Sequence, residues 1–310
     1  MLHVITDDLP FAERLLGTEK NIEWKPFRLS EKSQISSQLF EKIFFGRPVF
    51  HIYLSAHGIW QELWLVKHSP QSQFDVLAEA VRAGAVIPEF LLCVSGGGSS
   101  CRGFKGRSWN TLEGNLHLVV HSCLNKNIAG FAAGCMALPA VVVYETLERF
   151  EVLRNRIAIK WVNDVLVDNA KVSGVLAHTH AMGQRLNSLV LGIGVNILGT
   201  PDIIRDPFAP RVAALKDFAP SYYWSEKEIL FGILDSLSLW QNILKEHGSD
   251  TLIDSYIQKS LVIGKNVAIA LDDHEKNWVE GKVLGIGRNL ELLLDSFSKP
   301  VSRGRLLFLD

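Results

Sequence analysis

Cysteine is scarce in these 310 residues, and the four present, Cys93, Cys101, Cys123 and Cys135, show no CxxC spacing. That excludes the usual zinc-ribbon and disulfide frameworks and points to free thiols in a reducing compartment, the cytoplasm. No run approaches the ~18 consecutive apolar residues of a membrane helix, and no basic segment followed by an apolar one opens the chain, so neither a membrane span nor export is expected. Charge of one sign is also lacking: 32 Lys and Arg stand against 33 Asp and Glu, for a net charge of −1. No global field then draws the chain to nucleic acid or an acidic membrane. Walker A, GxGxxG and GxSxG signatures are absent, as are repeats. The composition is 47% hydrophobic and 21% charged, that of a globular chain with room for one large domain and a small one.

Patterning places elements along the chain. Residues 48–54 (PVFHIYL) and 90–94 (FLLCV) read as strands; 73–83 (QFDVLAEAVRA) has helical spacing and stops at Gly84. LHLVVHSCL (116–124) is a strand, and 130–149 a core helix that Pro139 either bends or begins. Strands follow at 157–161, 165–169, 171–180 and 188–197, with Asn163-Asp164 and Asp168-Asn169 as turn residues. Residues 226–246 form an amphipathic helix. Beyond Leu261, VAIAL, WVEGKVLGI, LELLL and GRLLFL are four short strands, the pattern of a small β-barrel, so a domain boundary falls near 258–262. Residues 1–40 are mixed, with Pro10 and Pro26 limiting helix length.

Three motifs carry chemistry. CRGFKGRSW (101–109), followed by Gly114-Asn115-Leu116, sets Arg102, Lys105 and Arg107 among glycines, so that charge and bare backbone N–H groups can surround an anion, with Trp109 as an apolar cover. KWVND (160–164) exposes Asn163 and Asp164 together, with Lys171 seven residues on and Gly174 three further. GIGVN (192–196) is a strand whose alternate glycines leave one face open to close approach, ending on Asn196. Each has a plain structural reading when taken alone: a solvated loop, a hairpin turn, a bulge. His178 and His180 share one side of a strand, but no third metal ligand stands with them.

Taken in order, the motifs resemble the biotin–protein ligases of the biotin/lipoate A/B protein ligase family, whose pattern is GRGRxGRxW, GxNL, KWPND with a lysine seven residues on and a glycine after it, then GxGxN. The resemblance spans about residues 72–200. It implies an α/β (α+β) fold: a mixed-sheet catalytic domain over 46–258, with residues 1–45 as its N-terminal extension and 259–310 as an SH3-like barrel. It further implies ATP, Mg²⁺ and biotin as ligands, with a homodimer among the assemblies allowed. Lys171 and Arg102 would be catalytic. Gly98, Arg102, Gly103, Phe104, Gly114, Lys171 and Gly174 would face the acid; Lys105, Arg107, Trp109, Lys160, Asn163 and Asn196 the nucleotide; and Asp164 a Mg²⁺ ion.

By the same resemblance, the acid's carboxylate attacks the α-phosphate of ATP and releases pyrophosphate, and a lysine of an acceptor carrier-protein domain then attacks the mixed anhydride. Cations at Lys171 and Arg102 would offset the repulsion between two anions. The chain departs from the family at Cys101 (a glycine there), Phe104 (an arginine) and Gly98 (a glutamine). The Ser-Thr-Asn at the first helix is replaced by Ser72-Gln73-Phe74 or, in a second alignment, Ser55-Ala56-His57. The threonine that would bond the biotin ureido ring is therefore missing. A lipoate- or octanoate-type acyltransferase and a non-catalytic adenylate- or acyl-binding homologue remain alternatives.

A winged helix-turn-helix needs roughly 60 residues with two amphipathic helices and a basic face. The first 40 residues show neither that pattern nor that charge. Gel shifts at physiological salt should accordingly show no submicromolar, sequence-selective DNA complex; finding one overturns this reading.

Overall fold

The structure is a computed structural model that describes all residues except 18–22, 31–34, 104–105, 128–130, 203–207, 209, 273–276 and 310. Phe104 and Lys105 of the arginine–glycine loop therefore lie outside the described residues.

In chain order the elements are β1 (Leu2–Thr6), α1 (Leu9–Leu16), β2 (Lys25–Phe27), α2 (Ser37–Phe44), β3 (Val49–Leu54), β4 (Glu62–Val66), α3 (Gln73–Arg82), β5 (Phe90–Ser95), β6 (Leu116–Asn127) and α4 (Ala132–Glu148). Then come β7 (Ile157–Lys160), β8 (Asp164–Val167), β9 (Ala170–Met182), β10 (Arg185–Val195), α5 (Glu226–His247), α6 (Asp250–Gln258), β11 (Asn266–Ala270), β12 (Trp278–Ile286), β13 (Leu292–Leu294) and β14 (Arg305–Phe308). β1–β10 form one mixed sheet in the order β2-β3-β1-β4-β5-β6-β10-β9-β8-β7. The β1–β4 and β4–β5 pairs are parallel and the rest antiparallel. β11–β14 form a separate antiparallel sheet, ordered β13-β12-β11-β14. Among the described residues no helix is long and apolar enough to cross a membrane.

Both faces of the large sheet are covered, so its central strands β4 and β5 are apolar at all but one position each, Glu62 and Ser95. Val4, Leu63, Leu65, Leu92 and Val94 pack into the larger core cluster, which includes α4, α5 and α6. Their neighbours Ile5, Trp64, Val66, Leu91 and Cys93 pack into a second cluster with α2 and α3. Period-two alternation thus sorts the side chains to the two faces. α4 has eleven buried residues and runs through the core; Pro139 lies inside it, not at its first turn. α3 starts where the Ser72 hydroxyl accepts the Asp75 N–H (3.3 Å), an N-cap that also sets Asp75 favourably in the first turn. β8 and β9 are joined through Asp168 (φ 46°) and Asn169 (φ 62°), the double left-handed turn that Asp and Asn tolerate.

The N-terminal prolines do less than their spacing suggests. Pro10 sits at the start of α1, where its missing N–H is no loss, and Pro26 is in β2 at the edge of the sheet. The small sheet is tied to the large one by Trp161, whose Nε1–H donates to the Leu290 carbonyl (2.7 Å).

Asn115 anchors the far end of β10. Its Oδ1 accepts the N–H groups of Ile197 (2.9 Å), Leu198 (3.1 Å) and Gly199 (2.8 Å), while Nδ2 donates to the Gly199 carbonyl (2.8 Å). Asn115→Ala takes the side-chain acceptor from Ile197 and Gly199, while Leu198 N–H keeps the Gly114 carbonyl (3.3 Å), and should cost about 3 kcal/mol in urea unfolding; a loss under about 1 kcal/mol would show that other groups or water take over.

Candidate active site

The site lies on the α2/α3 face of the sheet, in a cavity of about 500 Å³, within the usual range for a small-molecule pocket. Its floor is the ladder β9–β10–β6. Gly194 stands opposite Gly174 on one side and His117 on the other; two residues along, Gly192 stands opposite Leu176 and Val119. The glycines are required by what lies above them. A Cβ on Gly194 would come within 2.3 Å of Trp109 Cζ2, one on Gly174 within 2.9 Å of Trp109 Cζ3, and one on Gly192 within 3.1 Å of the Phe74 ring.

The loop that carries Trp109 is a narrow finger. Gly103 N–H donates to the Arg107 carbonyl (2.7 Å), Arg102 bridges Ser108, and Trp109 N–H donates to the Cys101 carbonyl (2.9 Å). Arg102 Nε lies 3.9 Å from the Asp75 carboxylate on α3. Both side chains are largely exposed, so this contact is weak in water.

Lys171 is the cation at the centre. Its ammonium lies 2.6 Å from the Asp164 carboxylate, with both side chains mostly buried, and 5.5 Å from the centre of the Trp109 ring. Lys171 N–H donates to the Arg211 carbonyl (2.7 Å) and its carbonyl accepts from Ala213 (2.9 Å), so the segment around Val212 closes that side. Asn163 Nδ2 donates to the Val175 carbonyl (2.9 Å). Asn196 Nδ2 donates to the Ala213 carbonyl (3.1 Å), while its buried Oδ1 has no partner.

The cavity wall therefore gathers Arg102, Gly103, Arg107, Trp109, Asn163, Lys171, Gly174 and Asn196 of the expected residues. Four others are placed elsewhere. Gly98 exchanges hydrogen bonds with Thr111 (2.8 and 2.6 Å), and a Cβ there would meet the Ser69 carbonyl at 2.6 Å; it is a packing glycine outside the wall. Gly114 is a left-handed turn residue (φ 83°) against Leu198. Lys160 is buried behind the site, its Nζ donating to the Phe208 carbonyl (2.6 Å). Asp164 has Lys171 on its carboxylate, and among the described residues no three His, Cys, Asp or Glu side chains gather to hold a metal ion. A Mg²⁺ ion bound mainly through ligand phosphates and water would need only one or two carboxylates, and Asp164 would be the residue to hold it.

Sequence reasoning gave no site role to Gln73, Ser95 or His117, all in the wall. Gln73 is 4% exposed, and neither polar atom of its amide has a partner. Of the two stretches weighed at the first helix, Ser72-Gln73-Phe74 lines the cavity and 55–57 does not. The signal for Gln73 was its place just after a capping serine. For His117 there was only its alternation with core residues.

The fold is an α/β domain whose large sheet floors a cavity of small-molecule size. Residues 95–196 match the model of the biotin/lipoate A/B protein ligase family. It is 26% identical over 169 residues to a biotin–[acetyl-CoA-carboxylase] ligase of Paracoccus denitrificans, covering 54% of this chain and 69% of that protein. Over 137 residues it is 30% identical to the bifunctional ligase/repressor BirA of Bacillus subtilis, covering 43% of this chain and 38% of that protein. The fold matches the biotin protein ligase of Aquifex aeolicus solved with biotin and ATP, with a TM-score of 0.61 and 24% identity over 79% of this chain and 97% of that one.

Burial pushes the His117 imidazole down from 6.5 to about 4, and burial lowers His121 as well. The unfolded chain protonates at His117 below 6.5, the folded chain only near 4. Stability is therefore intact above 6.5 and falls as pH drops towards 4, because folding must expel that proton. Between pH 7 and pH 5, wild type should lose about 2 kcal/mol more than His117→Asn in urea unfolding. Parallel losses in the two proteins would remove His117 from the account.

Proposed function

We propose that this chain forms an acyl-adenylate from ATP and a biotin-type carboxylic acid and passes the acyl group to a lysine of an acceptor carrier-protein domain. The observation that carries the reading is the Lys171–Asp164 pair at 2.6 Å, set on adjacent strands beside a side-chain-free glycine floor. The reaction joins two anions. A carboxylate oxygen bonds to the α-phosphorus of ATP as the bond to pyrophosphate breaks. A positioned ammonium stabilises the charge crowded there, and Asp164 fixes its direction. In the second step the acceptor amine attacks the acyl carbon, AMP leaves, and the amine proton passes to solvent.

Arg102, Gly103 and Arg107 supply further charge and bare N–H groups at the cavity's edge, and Asn163 and Asn196 supply amides for the nucleotide. The unpartnered Oδ1 of Asn196 suits a donor brought by a ligand. At the α3 end, the Gln73 amide offers one acceptor and two donors and has no partner of its own. An acid with an amide- or urea-like head satisfies it, whereas a plain fatty acid leaves it buried and unpaired; this favours biotin over octanoate. The ligase named in Paracoccus denitrificans acts on acetyl-CoA carboxylase, which makes a carrier domain of that kind the acceptor to try first. We read β11–β14 as an SH3-like barrel beside the catalytic domain.

ATP–pyrophosphate exchange with biotin, lipoate and octanoate in turn tests the reading; exchange with none of them sinks it. Lys171→Ala should lower exchange on the order of a hundredfold with unchanged circular dichroism. Exchange within about twofold of wild type would show that Lys171 is not the central cation.

A further inference from the structure

We propose that His117 is a positioning residue that latches the Trp109 indole onto the Gly174–Gly194 floor, so that the protein's own side chain covers the ground beside Lys171 until a ligand lifts it. This rests on reading the cavity as an acyl-adenylate site.

Gly174, Gly194 and His117 form one row across β9, β10 and β6. The indole lies along that row. Its Cζ3 is nearest Gly174, its Cζ2 and Cε2 are nearest Gly194, and its Nε1–H donates to His117 Nδ1 at 3.3 Å. Neighbouring strands are about 4.8 Å apart, so a ring resting on two strands reaches the third only through such a bond. The imidazole is buried and its other nitrogen, Nε2, faces the Leu112 carbonyl at 3.4 Å. With the proton on Nε2, Nδ1 is left as an acceptor aimed at the indole.

The glycine floor is bare of side chains of its own, and Trp109 fills it. Lys171, 5.5 Å from the ring centre, is shared between the indole face and Asp164. A carboxylate set between Lys171 and the glycine floor would enter the space the ring now holds. The covered and open states then compete, and ligand binding is weakened by the fraction of molecules that are covered.

His117→Phe keeps a flat ring but removes the acceptor, whereas His117→Asn keeps an acceptor close to the position of Nδ1. With eight tryptophans in the chain, the Trp109 signal is isolated by subtracting the fluorescence of Trp109→Phe. In His117→Phe, Trp109 should be more accessible to acrylamide, and whichever of biotin, lipoate or octanoate binds wild type in calorimetry should bind roughly two- to tenfold more tightly. His117→Asn should resemble wild type in both. Unchanged quenching in His117→Phe, or equal or weaker binding, overturns the latch. If wild type binds none of the three acids, the functional reading falls and quenching alone decides the latch, a rise supporting it and no change refuting it. Should His117→Phe fail to fold, His117→Leu, also without an acceptor, takes its place.

Discussion

The register of the β6–β10–β9 ladder is the constraint on which the site depends. Gly194 faces the cavity between Gly174 and His117, and the next row on the same strands, Val175, Ile193 and Leu118, faces the opposite core. Side chains alternate with period two, so slipping any of these strands by one residue would turn branched apolar groups into the cavity and bury a glycine or a histidine where the core needs volume. The two faces thus enforce one register: the α4 side demands Val175, Ile193 and Leu118, and the cavity side then receives two glycines and a histidine. Asn115 fixes the end of the ladder by holding three consecutive amides after β10, so the chain leaves the strand at one defined point.

Electrostatics at the site is local. The net charge of −1 steers nothing over long range, so the field inside the cavity comes from the groups that line it. Lys171 and Asp164 are mostly buried, so neither keeps a full hydration shell, and each needs the other. Lys171 also faces the Trp109 ring, an interaction that strengthens when water is excluded. An anion entering the cavity would then meet a cation whose direction is set by Asp164 and whose second face is covered by the indole.

Much of this was legible in the sequence. The strands around residues 116–124, 157–161 and 171–180, the helix at 73–82 and the four C-terminal strands all follow from periodicity and turn chemistry, and Asp168-Asn169 takes the left-handed conformation its residue types allow. β1 and β4 were not legible. Each is five residues long and buried on both faces, so neither alternates, and length alone does not separate such runs from helix or linker. Motif reading located the cavity but not the job of each member. The glycine and asparagine of the GNL motif serve a turn and a clamp, and Lys160 of KWVND points into the protein. A motif records what a position needs, and a backbone need and a ligand need can select the same residue.

The alternate glycines of β10 make the same distinction sharper. A glycine inside a strand says that something comes too close for a side chain, and sequence reading assigns that approach to a ligand. Here Phe74 and Trp109, reached through loops far away along the chain, are what come close. The ligand reading is not thereby lost, because a floor with no side chains costs the strand packing wherever nothing covers it. An indole held there by one hydrogen bond and one cation recovers that packing while remaining displaceable. A bulkier strand residue would stabilise the sheet as well and close the cavity permanently. The glycines are therefore better understood as space kept for two occupants in turn than as a concession to either.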